Sequence, residues 1–233
     1  MSRPRTRLLR AFTKVELLAV LVVIGVLVSL VIPKLQRDKA LAQRITCVGR
    51  LKSIGLGLRI FATDNEGFMP FQFSTNSPET NNPTSRPNFG GTREYALDPA
   101  SAWRHFAVIS NELGTPKILH CRADWERTPA RSFLEFTNNR FLSYTVGISA
   151  TEEQPQSILA SDRNLVLNGL AVSNTVLTFA TNMNLAWDHR IHVGTGNALL
   201  GDGSVQQVSA GRLSEQFRDA AVANPEPQKL VVP

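Results

Sequence analysis

The densest set of reactive side chains in this chain lies near its C-terminus, in WDHRIHVGTGNALLGDGSVQQVS. His189 and His192 are three residues apart, Asp188 precedes them, and Asp202 follows His192 by ten residues. Two imidazoles at that spacing could ligate a metal from one face of a helix. Asp188, Asn197 and Asp202 offer the oxygen ligands that calcium takes. Against a helix stands Val193-Gly194-Thr195-Gly196, which reads as loop, and EF-hand spacing is absent. The preferred reading is a polar loop leading into a hairpin, with His and Asp side chains holding backbone groups. No metal or cofactor is expected, with a calcium ion on Asp188, Asn197 and Asp202 as the alternative. Nucleophilic, phosphate-binding and dinucleotide-binding chemistry finds no support. There is no G-x-S-x-G, no H-E-x-x-H, no P-loop and no Rossmann glycine pattern. The four histidines, His105, His120, His189 and His192, read as surface or hydrogen-bonded residues, so the chain is not expected to be an enzyme.

The two cysteines, Cys47 and Cys121, belong to no C-x-x-C pair or zinc-spaced set. In an oxidising compartment they could bond, closing a loop worth about 4 kcal/mol in the chain-entropy model. They could equally stay free as small apolar side chains; the Cα separation decides. The formal charge of +6 on 233 residues resembles a nucleic-acid signal. Much of it, however, is Arg3, Arg5, Arg7 and Arg10; without residues 1–11, Lys and Arg number 21 against 19 acids. No basic block with interleaved aromatics remains, and no nucleic-acid partner is expected.

A second chemical signal sits at the other end. Leu17 to Ile32 is an uncharged apolar run, preceded directly by Glu16 and, two residues earlier, by Lys14. Extended back to Phe12, the helix is about 31 Å long, enough for a hydrocarbon core of about 30 Å. Lys14 can snorkel beside the arginines, which fit the positive-inside rule. An acid at the lipid boundary costs up to a few kcal/mol and marks function by default. A secretory cleavage site is not expected, because the nearest A-x-A, Ala40-Leu41-Ala42, lies beyond Pro33, Lys34, Arg37, Asp38 and Lys39. A cut between Ala11 and Phe12 would instead create an α-amine one turn from Glu16.

These residues resemble the type III signal of type IV pilins and type II secretion pseudopilins. That signal is a short basic leader, a small residue, F-T-x-x-E-L, about sixteen apolar residues and a proline. Ala11, Phe12, Thr13, Glu16, Leu17 and Pro33 stand in those places, with Glu16 fifth and Pro33 twenty-second after the cut. Ala11 replaces the usual glycine and Lys14 the usual leucine. The resemblance implies cleavage after Ala11 by a prepilin peptidase and N-methylation of Phe12. It also implies a role for Glu16 in recruiting each subunit to a growing filament. His192, nine residues and then Asp202-Gly203 are similar to the H-x9-DG element of planctomycete and verrucomicrobial prepilin-like proteins, a structural signature to which no activity attaches. RHFAVISNELGTPKILHC, LSYTVGISA and ILASDRNL are similar to that family's middle blocks. Cys121 is followed by Arg122-Ala123 rather than the family's proline and serine.

The elements that must position these residues follow from periodicity. One helix is expected from about Phe12 to Thr63. Pro33 should kink or locally open it. Leu41, Ile45, Val48, Leu51, Ile54, Leu58 and Phe61 form its packing face. Gly55 and Gly57 are justified by close approach to a sheet. Residues 68–101 read mostly as loop, followed by a helix over Ala100–Leu113. Strands are expected at Lys117–Cys121, Phe141–Ile148, Ser157–Ala160, Val176–Phe179, Ala198–Leu200 and Ser204–Val208. Asp202-Gly203 is expected as a two-residue turn, then a helix over Ala210–Ala223 and a Pro-rich tail. The class is α+β: a long transmembrane and amphipathic helix packed on a small antiparallel sheet domain, the pilin-like plan. The expected divisions are leader 1–11, transmembrane half 12–33, amphipathic half 34–64 and periplasmic head 65–233. The expected function is a structural subunit of a type II secretion or type IV pilus-like filament. Its partners would be prepilin peptidase and other pilin or pseudopilin subunits. It would sit in the bacterial inner membrane in a single pass, N-terminus cytoplasmic and C-terminal domain periplasmic, before entering a pseudopilus or reaching the cell surface. The alternative is a non-polymerising, membrane-anchored periplasmic binding domain.

Overall fold

A computed structural model describes residues 13–74, 90–180, 182–223 and 227–233. The protein is α+β, with an N-terminal apolar helix and small antiparallel sheets. It divides into two compact units, one ending at Ala42 and the other spanning Gln43–Pro233. Helix α1, Lys14–Asp64, contributes to both and runs without interruption through Pro33, the expected kink site. Ala11 and Phe12 lie outside the described residues.

In the first unit, Lys14–Ile32 is 19 residues, none of them buried. At 1.5 Å per residue it measures about 28 Å, long and apolar enough to cross a bilayer. Its start is built by Thr13 and Glu16. The Thr13 backbone N–H and hydroxyl both donate to Glu16 Oε2 at 2.8 Å, and the Glu16 N–H donates to Thr13 Oγ1 at 3.2 Å. This is a capping box, in which two otherwise orphaned helix-end donors are satisfied reciprocally.

In the second unit α1 buries Cys47, Leu51, Ile54, Leu58, Phe61 and Ala62. Leu41 and Ile45, expected on the packing face, are exposed; the buried stripe begins instead at Cys47. Gly55 does meet a sheet, since a Cβ there would lie 2.8 Å from Leu199 Cδ1. Gly57 faces a helix instead, 3.1 Å from Leu113 Cδ2. The expected helix over 100–113 is broken into two single turns, α2 at Arg104–Ala107 and α3 at Ser110–Leu113. Lys117–Cys121 is not a strand. Thr115 Oγ1 accepts from the Lys117 N–H, and Pro116 opens a 3-10 turn over Pro116–Leu119.

Nine strands are described: β1 Val146–Gly147, β2 Ile158–Ser161, β3 Leu165–Leu167, β4 Leu170–Ala171, β5 Thr175–Thr178, β6 Leu185–Trp187, β7 Thr195–Leu200, β8 Val205–Ser209 and β9 Lys229–Val232. They form three antiparallel sheets, ordered β1-β9-β5, β2-β7-β8 and β4-β3-β6. Helix α4, Ala210–Ala223, lies between β8 and β9 in sequence and buries Leu213, Phe217 and Ala220.

The central strands β7 and β9 are buried on both faces. Leu199 and Val231 join the core that α1 covers, while Ala198, Leu200, Leu230 and Val232 join the core that α4 covers. Successive side chains on a strand point to opposite faces, so a strand sandwiched in this way must read as a continuous apolar run. That is why the supposed tail, Lys229-Leu230-Val231-Val232, is a central strand, with Val231 paired to both Val146 and Val176. Leu230→Ala should therefore destabilise the head by about 2–5 kcal/mol. Denaturant unfolding of the detergent-solubilised chain measures this, and a loss below about 1 kcal/mol would contradict a structural role for β9.

Candidate functional site

The second unit contains a polar interior with two linked parts. The first centres on Asp162, which is fully buried and follows β2. Its Oδ2 accepts from the backbone N–H and side-chain Nδ2 of Asn197, each at 2.8 Å, and its own N–H donates to the Asn197 carbonyl at 3.0 Å. Asp162 Oδ1 is buried without a hydrogen-bond partner. His192 Nε2 lies 3.5 Å from Asp162 Oδ2 and 3.4 Å from Cys121 Sγ. Burial lifts the Asp162 carboxyl to about 7, with the Asn197 donors and Arg44 pulling it the other way. Burial, then the Arg44 guanidinium, hold the His192 imidazole down to about 4. Near neutrality the imidazole is uncharged, so its contact with Asp162 is not an ion pair.

His192 is aimed by its loop. The residues between β6 and β7 carry Val193 and Gly194 at φ 51° and 72°. A β-branched residue in the left-handed region is strained. The turn is held by Thr195 Oγ1 donating to the His192 carbonyl at 2.6 Å and by the Gly194 N–H donating to the Asp188 carbonyl at 3.0 Å. Cys121 follows the 3-10 turn, and Cys47 lies on the buried face of α1. The two are joined as a disulfide with Cα atoms 5.7 Å apart. Both sulfurs and one His192 ring nitrogen lie within 4.8 Å of one another, all buried.

The second part is an ion network. Arg163 grips Asp124 with two hydrogen bonds of 2.7 Å, from Nε and Nη2, and Nη2 also donates to Glu126 Oε2 at 2.6 Å. Arg163 and Asp124 are almost wholly buried. Arg190 bonds Glu126 at 3.4 Å and pairs closely with Asp188. The network ties the 121–127 loop, the turn after β2 and the loop carrying His192 into one body.

The calcium set does not assemble. Asp188 is held by Arg190, Asn197 Nδ2 donates to Asp162 while its Oδ1 is buried without a partner, and the exposed Asp202 uses Oδ1 to accept from the Ser204 N–H at 2.8 Å. Asn197 lies within β7, whereas Asp202 lies in the turn after its end. The H-x9-DG spacing therefore spans one strand, with His192 before its start and Asp202-Gly203 after its end. That turn is a three-residue loop rather than the two-residue one expected. The Gly203 N–H donates to the Leu200 carbonyl at 2.9 Å, and Gly203 takes the left-handed conformation at φ 81°. Arg59 of α1 donates to the Asp202 carbonyl at 3.4 Å and pairs with Glu152. His189 is exposed. Asp162 and Arg163 lie in ILASDRNL, where a polar Ser-Asp-Arg-Asn follows an apolar run, but the sequence assigns them no role, and Asp124 carries no local signal. Glu16 stands apart, engaged with Thr13 as described.

Comparison of the chain with protein-family models, curated proteins and solved structures finds no match.

Arg163→Met should cost about 3–5 kcal/mol, because it leaves Asp124 buried without its counter-charge. The pH signature follows from Asp124. Burial raises its pKa, but the Arg163 hydrogen bonds and charge outweigh this and hold the carboxyl below its ordinary 3.8. A depressed acid adds stability above its unfolded pKa and loses it as pH falls through the folded one. The wild type should therefore lose Asp124's share below about pH 3.8, whereas in Arg163→Met the same group should favour the folded state as it protonates. Denaturant unfolding at stepped pH reads the difference.

Proposed function

We propose that this chain is a pilin- or pseudopilin-like structural subunit, cleaved between Ala11 and Phe12 by a prepilin peptidase and drawn from the inner membrane into a helical filament. Glu16 carries the reading: a carboxylate at the N-terminal edge of a fully exposed, 19-residue apolar helix. Cleavage supplies a cation one turn away, and N-methylation of Phe12 keeps it charged. In a filament, Glu16 of one copy neutralises the amine of the next. Moving the helix from lipid to neighbouring helices changes little hydrophobic energy, so the charge pair sets register rather than overall affinity. The contact is heterologous and non-closing, which produces filaments. The Cys47–Cys121 disulfide fits a head on the oxidising side of the membrane.

One observation favours the alternative, a membrane-anchored domain that never polymerises. The capping box already gives Glu16 a local role as partner of Thr13. Glutamine fills the same position of a capping box without charge, so it separates the two roles. Mass spectrometry of membrane-extracted wild type should find chains beginning at methylated Phe12. Glu16→Gln should still be cleaved, and its incorporation into filaments should fall about tenfold or more, the equivalent of about 1.4 kcal/mol. Normal incorporation of Glu16→Gln would leave only the cap, and intact N-termini in cells with active prepilin peptidase would leave only the anchor.

A further inference from the structure

We propose that the Cys47–Cys121–His192 cluster is a redox-gated zinc site: oxidised, it is closed by the disulfide; reduced, the same atoms bind Zn²⁺, with a water completing the shell. The site lies wholly within the second unit and is independent of the filament reading.

A disulfide does not need the imidazole that accompanies it. His192 is buried, its loop is strained at Val193 to hold it, and its Nε2 points at Cys121 Sγ, a weak hydrogen-bond partner. Once the sulfur–sulfur bond is opened, two thiolates and an imidazole converge, since both sulfurs and one His192 ring nitrogen lie within 4.8 Å of one another. The spacing fits a tetrahedral centre with one position left for water. Zinc bonds of about 2.3 Å to sulfur and about 2.05 Å to nitrogen place S and N about 3.6 Å apart. The observed separation is 3.4 Å for Cys121 Sγ to His192 Nε2. The donor set selects a borderline-soft ion over calcium or magnesium. Two thiolates leave the filled site neutral.

The exchange balances. A dithiol donates two electrons and two protons to the Cys47–Cys121 bond and leaves as its own cyclic disulfide. The two thiols formed then lose their protons to solvent as Zn²⁺ binds, and both sulfurs enter the site as thiolates. Either closure fastens α1 to the 121 loop, and only the metal form adds the 192 loop.

Cobalt(II) is the probe, because tetrahedral thiolate coordination gives intense visible d–d bands and a near-ultraviolet charge-transfer band. The full-length chain in detergent is reduced with a dithiol, freed of reductant without air, and titrated with cobalt. The expected result is one tetrahedral cobalt per chain, displaced by one zinc. The oxidised chain should show no such spectrum. His192→Ala should weaken cobalt binding at least about tenfold. If this variant, or the reduced wild type, loses its fold, cobalt should restore the far-ultraviolet circular dichroism. A reduced wild type with only the pale octahedral spectrum overturns the site, as does failure of cobalt to restore lost structure. An affinity unchanged in His192→Ala removes the imidazole from it.

Discussion

Everything in the second unit depends on how one face of α1 is fastened to the sheets. Cys47, Leu51, Ile54, Leu58 and Phe61 form a stripe at helical spacing, and Gly55 lets the helix backbone come within contact of Leu199 on β7. The disulfide to Cys121 closes a sequence separation of 74 residues, worth about 4 kcal/mol in the chain-entropy model. That bond sits at the N-terminal end of the buried stripe, one turn before Leu51, where the helix would otherwise begin to peel away. Helix contacts in the middle of the stripe and a covalent bond at its margin divide the labour: the first supply burial, the second limits fraying.

Behind that seam the interior is polar to an unusual degree. Asp124, Asp162, Arg163, His192 and Asn197 are all buried. The bidentate Arg163–Asp124 pair meets the geometric demand that makes a buried ion pair tolerable. Asp162 has no such cation in hydrogen-bonding contact. It leans on two Asn197 donors and the field of Arg44, and its carboxyl rises to about 7 in consequence. The two carboxylates show how partner geometry rather than burial alone fixes the charge state.

Much of this fold was legible in the sequence. Helical spacing located α1 and α4, short apolar runs bounded by turn residues located β2, β5, β7 and β8, and the run from Leu17 to Ile32 stands out by composition. The errors have physical causes. Strand β9 is apolar on both faces and ends at a proline, so it lacks the alternation of a one-sided strand. The β3–β4 hairpin carries Asn168-Gly169, both left-handed at φ 51° and 82°, between Leu167 and Leu170; this turn signal was present and passed over. Lys117–Cys121 has strand-like composition, but a proline at the first position and a threonine cap dictate a turn. The polar interior was the least legible part. Cys121 meets His192 across 71 residues and Asp162 meets Asn197 across 35, separations that no local pattern encodes.

The start of α1 gives a single carboxylate a local role, and the proposed filament would give it a second. A helix entering hydrocarbon must satisfy its first N–H groups within its own length, since lipid offers no acceptor. The Thr13–Glu16 box does this for the isolated chain. A capping acid, however, is only as economical as its charge allows: threonine with glutamine would cap equally well without placing an anion at the lipid boundary. The excess cost of the ionised group at that depth is therefore unexplained by capping. In the filament proposed above, its compensation would be the amine that cleavage before Phe12 creates. The cap orients the carboxylate at the helix mouth, and that orientation is what a pairing between copies would require.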